Sequence, residues 1–112
     1  MKVFYLDDEP ALCELFSDLF SSPDIQIVTF TEPNHAVQAC SDSPRDVFFI
    51  DMTLGSTTGD KVANTVGTDI IKVLITGSLP AQPGNLFHAS FSKPYNMAEI
   101  QSFLSAKLAT LQ

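Results

Sequence analysis

The sequence has few basic residues, few cysteines and no long hydrophobic run, and each scarcity excludes a class of protein. Six basic side chains against thirteen acidic ones give a formal net charge of −7, the wrong sign for a protein that binds nucleic acid by neutralising phosphates. Cys13 and Cys40, the two cysteines, form no CxxC pair and lie in separate apolar stretches. We therefore expect buried free thiols in a reducing cytoplasm rather than a disulfide framework.

The N-terminus lacks the apolar segment of a signal peptide or a membrane span. Only four apolar residues, 3–6, precede the acids Asp7 and Asp8, whereas a membrane helix needs about 20. With 45% hydrophobic and 17% charged residues in a length of 112, the composition is that of one globular domain. We expect a single domain over residues 1–112 without an effector domain, located in the cytoplasm and away from membranes.

Short apolar runs alternate with stretches of helical periodicity along the chain. The runs lie at residues 3–6, 25–30, 47–50, 70–75 and, more weakly, 89–91. They are rich in β-branched and aromatic residues, as are strands buried on both faces of a parallel sheet. Alternation of strand and helix over short connections predicts right-handed crossovers, and so an open α/β sheet with helices on both faces.

Prolines mark the starts of the first two helices. Pro10 precedes an apolar stripe at helical spacing. This stripe consists of Leu12, Leu15, Phe16, Leu19 and Phe20. Pro33 opens the second helix, and Thr31 and Glu32 before it look like caps.

The last helix begins near Asn96, an N-cap candidate with Glu99 three residues later. Its apolar face consists of Ile100, Phe103, Leu104, Leu108 and Leu111. The region before it is less regular, since only residues 60–66 can form a helix between Asp51 and residue 70, and that helix can be no longer than about two turns. Glycines and prolines between residues 77 and 84 predict a loop with at most a short helix near residues 86–88.

Polar residues follow four of the five predicted strands. Asp7 and Asp8 follow the first run, Asp51 the third, Thr76 the fourth and Lys93 the fifth. The carboxyl ends of parallel strands meet at one edge of the sheet, so these side chains are candidates for one site. Taken singly, each of these residues also has a purely structural interpretation. Acids before a helix are often caps, Thr76 suits a turn, and Lys93 suits an exposed surface position.

Clustered carboxylates repel one another unless they are protonated or bind a cation. Oxygen ligands without histidine or cysteine favour Mg²⁺ over Zn²⁺. A carboxylate beside Mg²⁺ and a lysine ammonium is arranged to attack phosphorus, because the two cations would neutralise the oxygens of a transferring phosphoryl group. The pattern predicts phosphoryl transfer onto an aspartate.

These segments together resemble the receiver (CheY-like) domain of two-component response regulators, over essentially the whole chain. The resemblance is carried by FYLDDEP at 4–10, VFFIDM at 47–52, VLITG at 73–77 and SKPY at 92–95, with Gly59 eight residues after the aspartate. It implies a flavodoxin-like, doubly wound, five-stranded parallel sheet with strand order 2-1-3-4-5.

The resemblance also implies a role for individual residues. Asp51 would be the phosphoacceptor, Thr76 the switch hydroxyl, and Lys93 the ion-pair partner of the phosphoryl group, before a proline (Pro94) that commonly follows a cis peptide. The donor would be a histidine kinase or histidine phosphotransferase, and output would pass to an unidentified downstream protein. Such a chain is a signalling phosphoacceptor rather than an enzyme, with at most Mg²⁺-dependent self-phosphorylation and self-dephosphorylation.

The Mg²⁺ ligands implied by the resemblance come from two segments. Asp8 would bind the ion directly, and Asp7 would act mainly through a bound water. Asp51 and the backbone carbonyl of Thr53 would complete the set.

The sequence departs from the family pattern in the loop after Asp51 and near the output surface. Gly55 stands where a proline is usual, and Ser90 stands where an aromatic switch residue is usual, with Phe91 next to it. The spacings from Asp51 to Thr76 and from Thr76 to Lys93 are both shorter than is typical of the family, so shortened third and fourth helices are expected. In the family, the fourth helix, fifth strand and fifth helix form the common output face.

Two functional alternatives remain at this point. A receiver-like interaction module that works without phosphorylation would account for Ser90 and the altered fourth helix. A haloacid-dehalogenase-like phosphatase would also use an aspartate such as Asp51, but it needs a second acid where Thr53 stands. Neither a GxGxxG motif nor a Walker loop supports nucleotide binding.

Overall fold

Strands and helices alternate along the chain in the computed structural model, which describes residues 1–55, 57–67, 70–77, 87–94 and 96–111. The elements are β1 (Lys2–Leu6), α1 (Pro10–Phe20), β2 (Gln26–Phe30), α2 (Pro33–Asp42), β3 (Val47–Asp51), α3 (Gly59–Thr65), β4 (Ile71–Thr76), β5 (Ala89–Ser92) and α4 (Met97–Leu111). The strands form one sheet in the order β2-β1-β3-β4-β5, and all neighbours are parallel. The predicted flavodoxin-like fold and strand order are confirmed.

Both faces of the sheet are covered by apolar layers. Residues alternate between the two faces along each strand, so that Phe4 packs in one layer with α2 and α3, and Tyr5 in the other with α1 and α4. The three central strands are almost wholly buried, as their apolar runs predict, whereas the edge strands β2 and β5 are half-exposed. Cys13 and Cys40 are buried free thiols, as predicted.

The predicted apolar face of α1 is partly wrong. The helix packs on the sheet through Cys13, Phe16 and Phe20, while Leu15 is 43% exposed. The Cys13 thiol lies 3.4 Å from the backbone oxygen of Asp7 and 3.6 Å from that of Phe30, which holds this side of the helix against the strands. The buried face is therefore centred on Cys13, Phe16 and Phe20, with Leu19 partly buried beside it and Leu15 toward solvent.

The ends of the helices agree with the sequence in part. Asn96 accepts a hydrogen bond from the backbone N–H of Glu99 at 3.1 Å, so the predicted N-cap of α4 is confirmed. Glu32 is the N-cap residue of α2, but its side chain makes no capping hydrogen bond. On α4, Ile100 and Leu104 are buried as predicted, but Leu111 is 53% exposed because it lies in the last turn.

The region between β3 and α4 is short, as expected. Helix α3 has seven residues, which confirms the predicted two turns. Residues 78–86, which include most of the expected loop and the first residue of the short helix expected near residues 86–88, lie outside the described residues; Phe87 and His88 are described and are not helical. The peptide bond between Lys93 and Pro94 is cis, as the resemblance implies. Among the described helices, none has the length and apolar character needed to cross a membrane.

Candidate functional site

The carboxyl ends of the strands bring most of the predicted polar residues to one edge of the sheet. Asp51 is the last residue of β3, and it pairs in register with Ile75, next to Thr76 at the end of β4. Asp7 directly follows β1, and Lys93 directly follows β5. Carboxylate oxygens of Asp7, Asp8 and Asp51 lie within 4.8 Å of one another, which confirms that these acids form one cluster.

Lys93 joins two of these carboxylates. Its ammonium lies 2.9 Å from Oδ2 of Asp7 and 3.3 Å from Oδ1 of Asp51. The backbone N–H of Lys93 also donates to the carbonyl oxygen of Thr76 at 2.9 Å, so the lysine is anchored to the end of β4. The lysine and the acids that the strand ends predict for one site therefore meet, with Lys93 placed between Asp7 and Asp51.

Asp7 is fully buried and accepts hydrogen bonds on both of its carboxylate oxygens. Oδ1 accepts the backbone N–H of Glu9 at 3.0 Å, at the start of α1. Oδ2 accepts the Tyr5 hydroxyl at 3.0 Å in addition to the Lys93 ammonium. Asp7 thus has both the turn-forming role that its position before a helix predicts and a role in the acid cluster.

Tyr5 belongs to the site, although it is not among the polar residues predicted from the strand ends. Residues two apart on a strand project to the same face, so a tyrosine two positions before a buried aspartate is the signal that indicates this contact. Its place in an apolar run conceals this role, because tyrosine is common in buried strands.

Electrostatics at the cluster favour binding of a cation. Burial and the neighbouring charge of Asp7 raise the pKa of Asp51 from 3.8 to about 6, although Lys93 opposes the shift. Burial lowers the pKa of Lys93, but its hydrogen bond to Asp7 and the charge of Asp51 outweigh this, so the pKa lies above its usual value. Asp51 is therefore ionised at pH 7 at a cost in free energy, and a further positive charge beside it would reduce that cost.

The acid cluster suits a hard divalent cation. All the ligand atoms that it offers are carboxylate oxygens, and it contains neither histidine nor cysteine. Asp8 is exposed to solvent, while Asp7 and Asp51 are buried, so the cluster opens toward water on the Asp8 side. Among the described residues, Lys93 is the only cation that pairs with these carboxylates. One positive charge against three negative ones leaves an excess of negative charge that a divalent ion would balance.

The remaining predicted residues lie near this edge. Thr76 is buried at the end of β4. Thr53 is exposed in the loop after β3, where it pairs with Thr58 across a β-bridge. Gly55, in the same loop, has a φ of 71°, a conformation that other residues rarely adopt. A Cβ at Gly55 would lie 3.6 Å from a carboxylate oxygen of Asp8, so this loop passes close to the acids.

No protein-family model matches the chain, and no curated protein matches it in sequence. Solved structures do match it along nearly its whole length. A CheY-like receiver domain from Methylobacillus flagellatus aligns at a TM-score of 0.85 and 22% identity, over 96% of this chain and 98% of that one.

Two further structures give the same result. The signal receiver domain of a Luxo repressor protein from Vibrio parahaemolyticus aligns at a TM-score of 0.84 and 18% identity, over 97% of this chain and 90% of that one. The response regulator TrrA from Thermotoga maritima, solved in complex with Mg²⁺-BeF, aligns at a TM-score of 0.85 and 18% identity, over 95% of this chain and 97% of that one. The chain has the CheY-like receiver fold.

Proposed function

We propose that this chain is a receiver in a two-component phosphorelay, in which Asp51 accepts a phosphoryl group from a phosphohistidine on a kinase or phosphotransferase. The observation that carries the proposal is the position of Asp51, with its Oδ1 3.3 Å from the Lys93 ammonium and its carboxylate in one cluster with Asp7 and Asp8. The fold shared with receiver domains and the Mg²⁺-BeF complex of one of them support it.

In the proposed step, a carboxylate oxygen of Asp51 attacks the phosphorus. The P–N bond of the phosphohistidine breaks, its electron pair stays on the imidazole nitrogen, and an acyl phosphate forms on Asp51. A pKa of about 6 keeps the Asp51 carboxylate mostly ionised at pH 7 and makes it more basic than an ordinary aspartate. Lys93 supplies positive charge beside the oxygens of the incoming group, and the Thr76 hydroxyl would bond to one of them.

The Mg²⁺ ligands would be Asp8, Asp51 and the carbonyl of Thr53, with Asp7 acting through water. Bound Mg²⁺ would neutralise negative charge on the transferring phosphoryl group. The solvent exposure of Asp8 suits a direct ligand. Asp7 already accepts hydrogen bonds from Tyr5, Glu9 and Lys93, which supports a less direct part in binding the ion.

A second candidate is an interaction module that binds its partner without phosphorylation. The observation that favours it is Ser90, a half-buried residue on β5 opposite Leu74, where no aromatic side chain is present to move with the switch. In either case a single domain over residues 1–112 would act through contact with another protein, in the cytoplasm.

Labelling with a small phosphodonor tests the first candidate. The purified protein is incubated with acetyl phosphate and Mg²⁺, and its intact mass is compared with that of a metal-free sample. We expect a gain of one phosphoryl group that requires Mg²⁺, is absent in Asp51→Asn and persists in Asp18→Asn, which removes an exposed carboxylate from α1. A folded wild type that gains no mass and binds no Mg²⁺ would favour the second candidate.

A further inference from the structure

We propose that Tyr5 is a positioning residue of the acid cluster, and that its hydroxyl fixes the Asp7 carboxylate in the orientation needed for cation binding and phosphoryl transfer. The inference rests on the proposed function of the cluster. Tyr5 lies on β1, two residues before Asp7 and on the same face of the sheet, and both residues are fully buried.

The Tyr5 ring is held firmly by its neighbours. It stacks on Phe16 of α1, with ring centroids 4.2 Å apart and an interplanar angle of 17°, and Phe49 of β3 lies against it at 6.5 Å. The strand fixes the other end of the side chain. A ring packed in this way holds its hydroxyl in one position, so the 3.0 Å hydrogen bond to Oδ2 of Asp7 restricts the orientation of the carboxylate.

The two oxygens of Asp7 are held from different directions. The backbone N–H of Glu9 holds Oδ1, whereas Tyr5 and the Lys93 ammonium share Oδ2. Tyr5 therefore helps to direct Oδ2 toward Lys93, which in turn reaches Asp51 at 3.3 Å. Without the hydroxyl, the carboxylate keeps the backbone N–H of Glu9 on Oδ1 and the Lys93 ammonium on Oδ2, but it loses the donor whose position is fixed by the packed ring.

The substitution Tyr5→Phe removes this hydroxyl and keeps the ring. Losing a hydrogen-bond partner that orients a metal-binding group typically weakens metal affinity 10- to 100-fold. Because Asp7 acts indirectly, we expect an effect at the low end: a rise of about tenfold in the Kd for Mg²⁺, measured by calorimetry. The rate of phosphorylation by acetyl phosphate at low Mg²⁺ should fall by a similar factor.

A packing control separates positioning from general weakening of the fold. Phe4→Leu removes part of a buried ring on the same strand, but on the opposite face, where it packs against Phe30 and Phe48 rather than the acids. It should lower the urea midpoint at least as much as Tyr5→Phe and leave the Kd for Mg²⁺ unchanged. If Tyr5→Phe binds Mg²⁺ as wild type does, or if Phe4→Leu weakens binding equally, the inference is wrong.

Tyrosine fluorescence provides a readout that does not depend on activity. The chain has no tryptophan and two tyrosines, so Tyr95→Phe leaves Tyr5 as the single emitter. Its emission should change on Mg²⁺ addition with the midpoint that calorimetry gives; binding without a change in emission would contradict the coupling. If wild type itself binds no Mg²⁺, the proposed function fails and this inference fails with it, whereas normal binding by Tyr5→Phe overturns the inference alone.

Discussion

The Lys93 ammonium, 3.3 Å from Oδ1 of Asp51, is the nearest positive charge to the proposed phosphoacceptor in the described part of the chain. It lowers the pKa of Asp51, against the larger effects of burial and Asp7. Lys93→Met should therefore raise the pKa of Asp51 further above 6, as followed by ¹³C NMR titration of the aspartate carboxyls. It should also lower the free energy of unfolding at pH 7 by about 2 kcal/mol, because two buried carboxylates lose a charged partner.

Lys61→Met is the matched control, since it removes an exposed lysine from α3. It should change neither the pKa of Asp51 nor, by more than about 0.5 kcal/mol, the stability. An unchanged Asp51 titration in Lys93→Met would show that the ion pair is not formed in solution.

The raised pKa of Asp51 predicts that ionisation of this residue makes an increasingly unfavourable contribution to the stability of the metal-free protein as pH rises. The folded state binds the proton more tightly than the unfolded state, whose pKa is near 3.8, so ionisation of Asp51 opposes folding from pH 3.8 upward and fully so above pH 6. A shift from 3.8 to about 6 corresponds to about 3 kcal/mol. Asp51→Asn should remove this penalty, and so stabilise the protein by about 1–3 kcal/mol at pH 7.5.

Urea unfolding in EDTA at pH 4 and pH 7.5 measures this effect. The difference in stability between Asp51→Asn and wild type should be small at pH 4 and large at pH 7.5. Asp18→Asn, on the exposed side of α1, should follow wild type at both values. A constant difference across this range would mean that Asp51 titrates as an ordinary aspartate.

The strands and the acid cluster could be predicted from the sequence because both follow from local order along the chain. An apolar run predicts a buried strand, and the residue after it lies at the carboxyl edge whatever the details of packing. Asp7, Asp51 and Lys93 are all predicted in this way. The neighbouring strands β1 and β3 place the two acids close together, whereas Lys93, after the edge strand β5, reaches both with its long side chain.

Contacts between elements were harder to predict. The rotation of α1 depends on which of its apolar residues fit the sheet: Cys13, outside the predicted stripe, is buried, and Leu15, within it, is exposed. To predict the contact of the Tyr5 hydroxyl, one must know that the Asp7 side chain points into the protein. The charge of Asp7 argues against such burial unless Lys93 lies beside it. Tertiary packing determines the rotation of the helix and the orientation of the aspartate, and sequence periodicity alone does not predict either of them.

Asp8 provides the direct test of the metal site, since it is the exposed member of the cluster. Asp8→Ala removes a proposed ligand and also one of three mutually repelling charges. We expect the affinity for Mg²⁺ to fall at least tenfold, and the stability in EDTA to stay the same or to rise by about 0.5 kcal/mol. Glu14→Ala, an exposed acid of α1, should change neither quantity. Marked unfolding of Asp8→Ala would instead indicate that this residue mainly supports the start of α1.

Gly59, the first residue of α3, packs directly on the backbone of Asp51. A Cβ at this position would lie 2.6 Å from the Asp51 carbonyl oxygen and 3.0 Å from the Cα of Met52, and both atoms belong to a backbone that cannot easily yield. Gly59→Ala should therefore lower the free energy of unfolding by about 1–3 kcal/mol, although alanine favours a helix by about 1 kcal/mol.

At Gly77 an added Cβ would meet nothing within 4 Å among the described residues, so Gly77→Ala should stay within about 0.5 kcal/mol of wild type by urea unfolding. The clash in Gly59→Ala acts on the backbone of Asp51, the proposed phosphoacceptor. Labelling by acetyl phosphate should therefore slow in that variant and not in Gly77→Ala. A stabilised Gly59→Ala with normal labelling would mean that α3 begins farther from Asp51 than the 2.6 Å contact implies. A destabilised Gly59→Ala with slowed labelling would show that the close approach of α3 holds the Asp51 backbone where the acid can meet Lys93.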